Sequence, residues 1–318
     1  MNARKMKLAV TVLAVAIIVS AAFLFEPAHS QVTPLVIHIR SDGSVDPASV
    51  PIQRSGNTYV FSGNVSAQGI VIEKEGVTID GAGYTLMGPY NGSQTLWIIG
   101  EGPNQTVPAN ETEIWSIGVD TATNAIGDLT IRNLNIQNFS IGMYLWTPNN
   151  TVTGNAIVDG IVGILVSGDN NTINGNYIAN NKNGVYFGSN QPGNIPTGLT
   201  ISGNRFVDNL RQLSGCVCVD YNTTETKHTW DDGKIGNFWS DYNGTDSNHD
   251  GIGDTPYVID ALNLDRYPLV QSSVTPPTVT ADIHVELALA AAALIVASVV
   301  GVVVFRRKKK KTVNQDVL

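Results

Sequence analysis

The chain has 318 residues, with 19 basic and 27 acidic side chains and a formal charge of −8. Between the first thirty residues and the tail, residues 31–286 keep 10 basic and 25 acidic side chains, a net of −15. That balance excludes a basic nucleic-acid-binding face and points instead to cations or neutral polymers as partners. Cys216 and Cys218 are the only cysteines. A bridge across i, i+2 of a strand is strained, so a disulfide scaffold is excluded as well.

In chain order, Arg4, Lys5 and Lys7 lead into an apolar run over 8–25, then Ala28-His29-Ser30. This is the pattern of a secretory signal over 1–30. Residues 31–75 hold short strand-like segments and read as an N-terminal cap. Residues 76–222 repeat, and 223–270 are aromatic and acidic and read as a C-terminal cap. Residues 271–285 begin with a Pro/Thr-rich stretch, a stiff stalk. Residues 287–305 carry no charge and are followed by six basic residues, Arg306 to Lys311. At ~1.5 Å per residue such a run nearly spans a ~30 Å hydrocarbon core, and the basic block holds the tail on the cytoplasmic side. The sequence predicts a type I membrane protein with a transmembrane helix over 286–305, a cytoplasmic tail over 306–318 and an extracellular ectodomain. Nine sequons lie in that ectodomain, at Asn64, Asn91, Asn104, Asn110, Asn138, Asn149, Asn170, Asn222 and Asn243, and suit a glycosylated surface.

Thirty residues are Asn, and 18 of them fall between positions 124 and 209. Self-similarity explains the crowding. Asn150-Thr-Val-Thr-Gly-Asn155 recurs as Asn171-Thr-Ile-Asn-Gly-Asn176, 21 residues on, and Gly198-Leu-Thr-Ile-Ser-Gly-Asn204 follows. One column reads Ile79, Ile131, Val152, Ile173, Ile201. A second reads Ala82, Leu134, Asn155, Asn176, Asn204, and a third Tyr84, Ile136, Ile157, Ile178, Phe206. A glycine column, Gly142, Gly163, Gly184 and (after a three-residue insertion) Gly215, precedes short alternating strands whose last inward pair is Cys216 and Cys218. Such a period predicts an all-β fold, a single-stranded right-handed parallel β-helix of the pectate-lyase-like type with caps at both ends. Apolar columns face inward at ~4.8 Å per coil. The Asn column forms an amide ladder. The outer column Asn138, Asp159, Asn180, Asp208 supplies turn residues.

Trp230-Asp-Asp-Gly233, Gly236-Asn-Phe-Trp-Ser-Asp-Tyr242, Asp246-Ser-Asn-His-Asp-Gly-Ile-Gly-Asp-Thr-Pro-Tyr257 and Asp265-Arg-Tyr-Pro-Leu269 stand together with Gly76-Val-Thr-Ile-Asp-Gly-Ala-Gly-Tyr-Thr-Leu86. With these motifs the chain, over about residues 55–270, resembles the NosD-like family of surface or periplasmic β-helix proteins, labelled periplasmic copper-binding. A membrane-anchored, sequon-rich version is similar to the archaeal surface members. The resemblance implies the β-helix fold. From the named family member it also implies an accessory role in assembling the copper site of nitrous oxide reductase. Copper takes Cys, Met and His donors. Here His38, His228, His249, His284, Cys216, Cys218, Met87 and Met143 are scattered, so the inventory does not favour copper.

Asp246, Asn248, Asp250 and Asp254 stand at positions 1, 3, 5 and 9 of a loop with Gly251 at 6 and the Ile252 carbonyl at 7. That is the oxygen spacing of a calcium loop, although Tyr257 replaces the usual Glu at 12. Ca²⁺ is therefore the expected cofactor, held by Asp246, Asn248, Asp250, Ile252 and Asp254. For the ectodomain the favoured reading is a non-catalytic module that binds a polysaccharide or other cell-surface polymer. Tyr144, Trp146 and Tyr186 are its candidate binding residues, on an outward column with Leu165 and Val217 where aromatic faces can stack on sugar rings. The alternative is a polysaccharide lyase or hydrolase drawing on Asp128, Asp159, Asp169, Asp208 and Asp220. Asp159 and Asp208 lie two coils apart, ~9.6 Å, which permits an inverting pair. Copper delivery is a second alternative.

Overall fold

The computed structural model describes residues 35–92, 116–121, 127–188, 195–215 and 226–270. The predicted signal, stalk, transmembrane helix and tail lie outside them. Among the described residues no helix is long and apolar enough to cross a membrane.

Each repeat forms three short strands, because segments of three to five residues that carry β-branched and other apolar side chains alternate with residues suited to tight corners. Stacking places them in three parallel sheets, so the fold is all-β and a parallel β-helix. The first sheet stacks Val36–Ile39, Gly69–Ile72, Ile117–Asp120, Ile141–Leu145, Val162–Val166, Asn183–Phe187 and Arg211–Gly215. The second stacks Thr58–Phe61, Thr78–Asp80, Thr130–Arg132, Thr151–Thr153, Thr172–Asn174 and Thr200–Ser202. The third runs from Val65–Ser66 through Thr85–Met87, Asn135–Gln137, Ala156–Val158, Tyr177–Ala179 and Arg205–Val207 to Phe238–Trp239. Val45–Asp46 and Ile52–Ser55 turn back antiparallel and cover sheet edges at the N-terminal end.

The second sheet's inward column is Tyr59, Ile79, Ile131, Val152, Ile173 and Ile201, all buried. Each fully buried aliphatic side chain contributes roughly 1.5–3 kcal/mol. In the third sheet the column is Leu86, Ile136, Ile157, Ile178, Phe206 and Trp239. Tyr84 does not belong to it. Four residues, 81–84, separate the strands at that corner where two suffice in the next coil, and Tyr84 is left outside. Gly81, rather than Ala82, stands over Leu134, since a Cβ there would lie 2.3 Å from the Leu134 Cα.

The expected insertion before Gly215 is also corrected. Arg211–Gly215 pairs directly with Asn183–Phe187, which places Leu213 against Val185 and Gly215 against Phe187. Gln212 replaces the column glycine, its amide held by the Ser240 and Asn209 side chains. Cys216, Val217 and Cys218 lie outside the described residues. The column glycines themselves answer to steric need, for a Cβ on Gly163 would meet the Gly184 carbonyl oxygen at 2.5 Å.

Asparagine does two jobs. At the corners, positive φ recurs every five residues, at Asp128, Asn133 and Asn138, then Asn149, Gly154 and Asp159, then Asn170, Gly175 and Asn180. Asn, Asp and Gly tolerate this left-handed conformation best. The next residue is often an Asn whose side chain points in and bonds the coil above and below. The longest ladder is Asn155, Asn176, Asn204 and Asn237. At each step a backbone N–H and a side-chain N–H donate to the Oδ1 of the next Asn at about 3.0 Å. Asn150–Asn171 and Asn181–Asn209 form two shorter ladders.

Candidate functional site

Tyr144 lies on the outer side of the first sheet in register with Asp120, Leu165, Tyr186 and Ser214. Its ring meets Trp146 edge to face, with centroids 5.8 Å apart, and both side chains are half-buried. The Trp146 backbone is tied to Thr121, whose hydroxyl accepts the Trp146 N–H and donates to the Tyr144 carbonyl. The predicted row is thus brought together for Tyr144, Leu165 and Trp146. Tyr186 departs from it, being only 8 % exposed and packed in an apolar group with Ile141, Ile161 and Val162. It supports the row rather than presenting a face.

The aromatic and acidic motifs build the C-terminal cap. Trp239 stacks on Phe206 at 4.5 Å, and Tyr257 stacks on Trp239 at 4.3 Å, so the inward column continues into the cap as rings. Asp265 is fully buried at the end of the long Asn ladder. Its carboxylate accepts the Asn237 N–H at 2.7 Å, the Trp239 Nε1–H at 2.9 Å and the Tyr267 N–H at 3.1 Å. Burial raises the proton affinity of this carboxyl, and the converging N–H groups oppose the rise. Gly236 is required beside it, because a Cβ there would overlap Asp265 Oδ1 at 1.7 Å. Asp231 is held by Arg266 through Nε at 3.0 Å and Nη2 at 2.6 Å. Burial would raise the Asp231 carboxyl, but the Arg266 donors outweigh it and hold the carboxyl below its usual range. The Trp-Asp-Asp-Gly and Asp-Arg-Tyr-Pro signatures therefore meet in space as a structural lock.

The acidic loop brings Asp246, Asn248 and Asp250 together. Asp246 accepts the Asp250 and Gly251 N–H groups, and Asn248 donates to Asp250. The Ile252 N–H donates to Asp250, and Ile252 also bridges Leu269. Asp254 accepts instead from Ser247 and Thr245, which lowers its proton affinity. Among the described residues no group of three or more His, Cys, Asp or Glu stands close enough to hold a metal ion.

The soft-donor inventory stays dispersed. His38 bonds Glu73 at 2.8 Å, Met143 is buried in the core, and His249 sits in the acidic loop with φ 60°. His228 is buried among aromatic rings. His284, Cys216 and Cys218 lie outside the described residues. The described donors do not fit a copper centre.

The acids weighed for catalysis each have a local role. Asp128, Asp159 and Asp208 are left-handed corner residues, and Asp169 accepts the Thr197 N–H and hydroxyl. Asp220 lies outside the described residues. Among the sequon asparagines, Asn64, Asn91, Asn149, Asn170 and Asn243 are exposed and Asn138 is half-buried. Asn104, Asn110 and Asn222 lie outside the described residues.

Sequence reasoning missed Asn237 and Asp265 as the end of the ladder. The signal was present, since Gly236-Asn237-Phe-Trp239 repeats Gly203-Asn204-Arg-Phe206 with the same glycine, asparagine and aromatic columns. It also missed His228, whose isolation depends on neighbours distant in the chain.

Comparison with known proteins agrees with this architecture. The family model described as periplasmic copper-binding protein (NosD) matches residues 35–244, well over half of the chain. The probable ABC transporter binding protein NosD of Stutzerimonas stutzeri is 34 % identical over 158 residues, which cover 45 % of this chain and 34 % of that protein. The chain thus spans about a third of the length of this curated relative. A three-sheet parallel β-helix closed by the paired signature motifs, with the family model running through its coils, makes this chain a member of the NosD family.

Proposed function

We propose that the chain is a non-catalytic surface module whose β-helix binds a polysaccharide or similar surface polymer, held to the membrane by the apolar segment over 286–305. The observation that carries this reading is the half-exposed Tyr144–Trp146 pair, fixed by Thr121 on a rigid outer ladder beside Leu165. Rings held in this way lose little conformational freedom on binding and offer apolar faces to sugar C–H groups. Asp128, Asp159 and Asp208 serve as left-handed corner residues and Asp169 holds Thr197, so each of these acids has a structural role that needs no catalysis. The full chain should retain a subset of polymers on a glycan array. The Tyr144→Ala and Trp146→Ala variants should each weaken that binding about tenfold, as ~1–2 kcal/mol per anchor ring implies. Equal retention by wild type and both variants, or no polymer retained, would end the reading.

The calcium reading of the acidic loop is a finer part of the same proposal. It is supported by the oxygen spacing of Asp246, Asn248, Asp250 and Asp254 on one exposed loop. Mass action then stabilises the cap by about 2.7 kcal/mol at 100 times Kd. Melting of the full chain should rise in calcium relative to chelator, and Asp250→Ala should remove the difference. Identical melting in the two media sinks the calcium reading and leaves the loop as a turn.

A further inference from the structure

His228 lies where the last coil meets the C-terminal cap. Its ring stacks face to face on Phe187 at 5.8 Å with 13° between the planes. Trp230 meets it edge-on at 6.3 Å. Asn263 Oδ1 accepts both the His228 backbone N–H at 2.8 Å and the Trp230 Nε1–H at 3.0 Å, which pins this arrangement. The residue is 4 % exposed, and neither ring nitrogen has a hydrogen-bond partner. A neutral imidazole carries one donor and one acceptor, and here both go unanswered, an arrangement folded proteins rarely keep. Beside the ring lies a cavity of about 270 Å³ lined by Lys227, Thr229, Asp231, Leu262, Leu264 and Arg266.

The charged groups around the ring come from three segments. Asp260, in the turn before Leu264–Asp265, attracts a proton to the imidazole. Asp231 is already bound by Arg266. Lys227, the neighbour in sequence, carries an ammonium group and lines the same cavity. The strand Asn183–Phe187 adds no formal charge at neutral pH. Burial prevails, and it depresses the proton affinity of His228 below the ordinary value of 6.5.

We propose that His228 is a proton-sensitive latch of the C-terminal cap: protonation drives the ring from the Phe187–Trp230 slot into the adjoining cavity and loosens the cap from the last coil. The neutral ring fills a slot walled by aromatic rings, whereas the imidazolium needs acceptors that the rings do not offer. The open form takes up its proton at the ordinary value of 6.5, and the latched form resists until lower pH. Closure is therefore complete above 6.5 and is lost progressively below it. Opening uncovers the Thr200–Thr229 bridge and the Phe206–Trp239 pairing that seal the end of the stack.

Hydrogen exchange of the full chain, followed by mass spectrometry across a pH series and corrected for intrinsic rates, tests the latch. Protection of peptides from 226–240 should fall by up to about tenfold per pH unit in the acid window, the limit for one proton. Peptides from 151–179 should keep their protection. His228→Phe should make the cap response flat. If that ring disturbs the packing, His228→Gln, which does not titrate in this range, should give the same flat response. The chain has five histidines, so spectra of ¹⁵N-histidine-labelled protein, with His228→Gln for assignment, locate its titration directly. Cap protection indifferent to pH, a slope that survives in His228→Gln, or titration of His228 at or above 6.5 would each overturn the latch.

Discussion

Asp265→Ala is expected to destabilise the cap by about 3–5 kcal/mol, out of a total near 5–15 kcal/mol. The substitution removes one acceptor from three buried donors, the Asn237 N–H, the Trp239 Nε1–H and the Tyr267 N–H. Each orphaned donor costs about 1–3 kcal/mol, and a methyl group cannot answer any of them. The effect is directional as well. Every Asn in the long ladder donates toward the C-terminal end, so the amide dipoles add, and Asp265 is the acceptor at their positive end. Asp265→Asn keeps the volume but turns an NH₂ group toward N–H donors, so it should recover only part of the loss. Asp241→Ala is the control. That exposed carboxylate accepts the Tyr257 hydroxyl, shared between its two oxygens at 3.2 and 3.3 Å, and its loss should stay within about 0.5 kcal/mol. Denaturant titration of the full chain measures all three, and an Asp265→Ala variant as stable as wild type would mean that the ladder does not end there.

The second large effect is expected for Asn176→Leu, at about 2–5 kcal/mol. Leucine has nearly the same size and gains apolar transfer energy, so shape alone predicts little change. Hydrogen bonding predicts the opposite. Asn176 accepts the Asn155 N–H at 3.0 Å and donates to the Val152 carbonyl at 2.9 Å and to Asn204 Oδ1 at 3.0 Å. Leucine strands these groups in the interior between two coils, where water does not reach. Asn174→Leu, two positions earlier at the exposed end of the strand Thr172–Asn174, should cost within about 0.5 kcal/mol. Thermal melting of the two variants separates them, and equal shifts would show that the ladder contributes no more than a surface amide.

The period of 21, the inward isoleucines and the Asn column were legible in the sequence because each is a local pattern repeated. When Val152 and Ile173 occupy the same place in successive repeats, stacking them is the arrangement that buries both, and the register follows without knowledge of the rest. The same holds for Asn138, Asp159 and Asn180, whose left-handed corners demand Asn, Asp or Gly wherever the chain turns. The family signatures were legible as strings, but their role was not. That Asp231 locks onto Arg266, or that Gly236 makes room for Asp265, depends on segments about thirty residues apart meeting across the cap. Tertiary structure also decided the slips of register. Two extra residues at 81–84 eject Tyr84, and Gln212 can replace a glycine because, among the described residues, Arg211–Gly215 is the last strand of its sheet, with no further carbonyl against that position. Tyr186 is similar, since its column points outward but Ile141, Ile161 and Val162 close around it. Periodicity assigns a side chain to a face, because that depends on the strand's own pleat. Whether the face is open, and what a buried polar atom such as a His228 nitrogen meets there, depends on neighbours from other coils that no local pattern encodes.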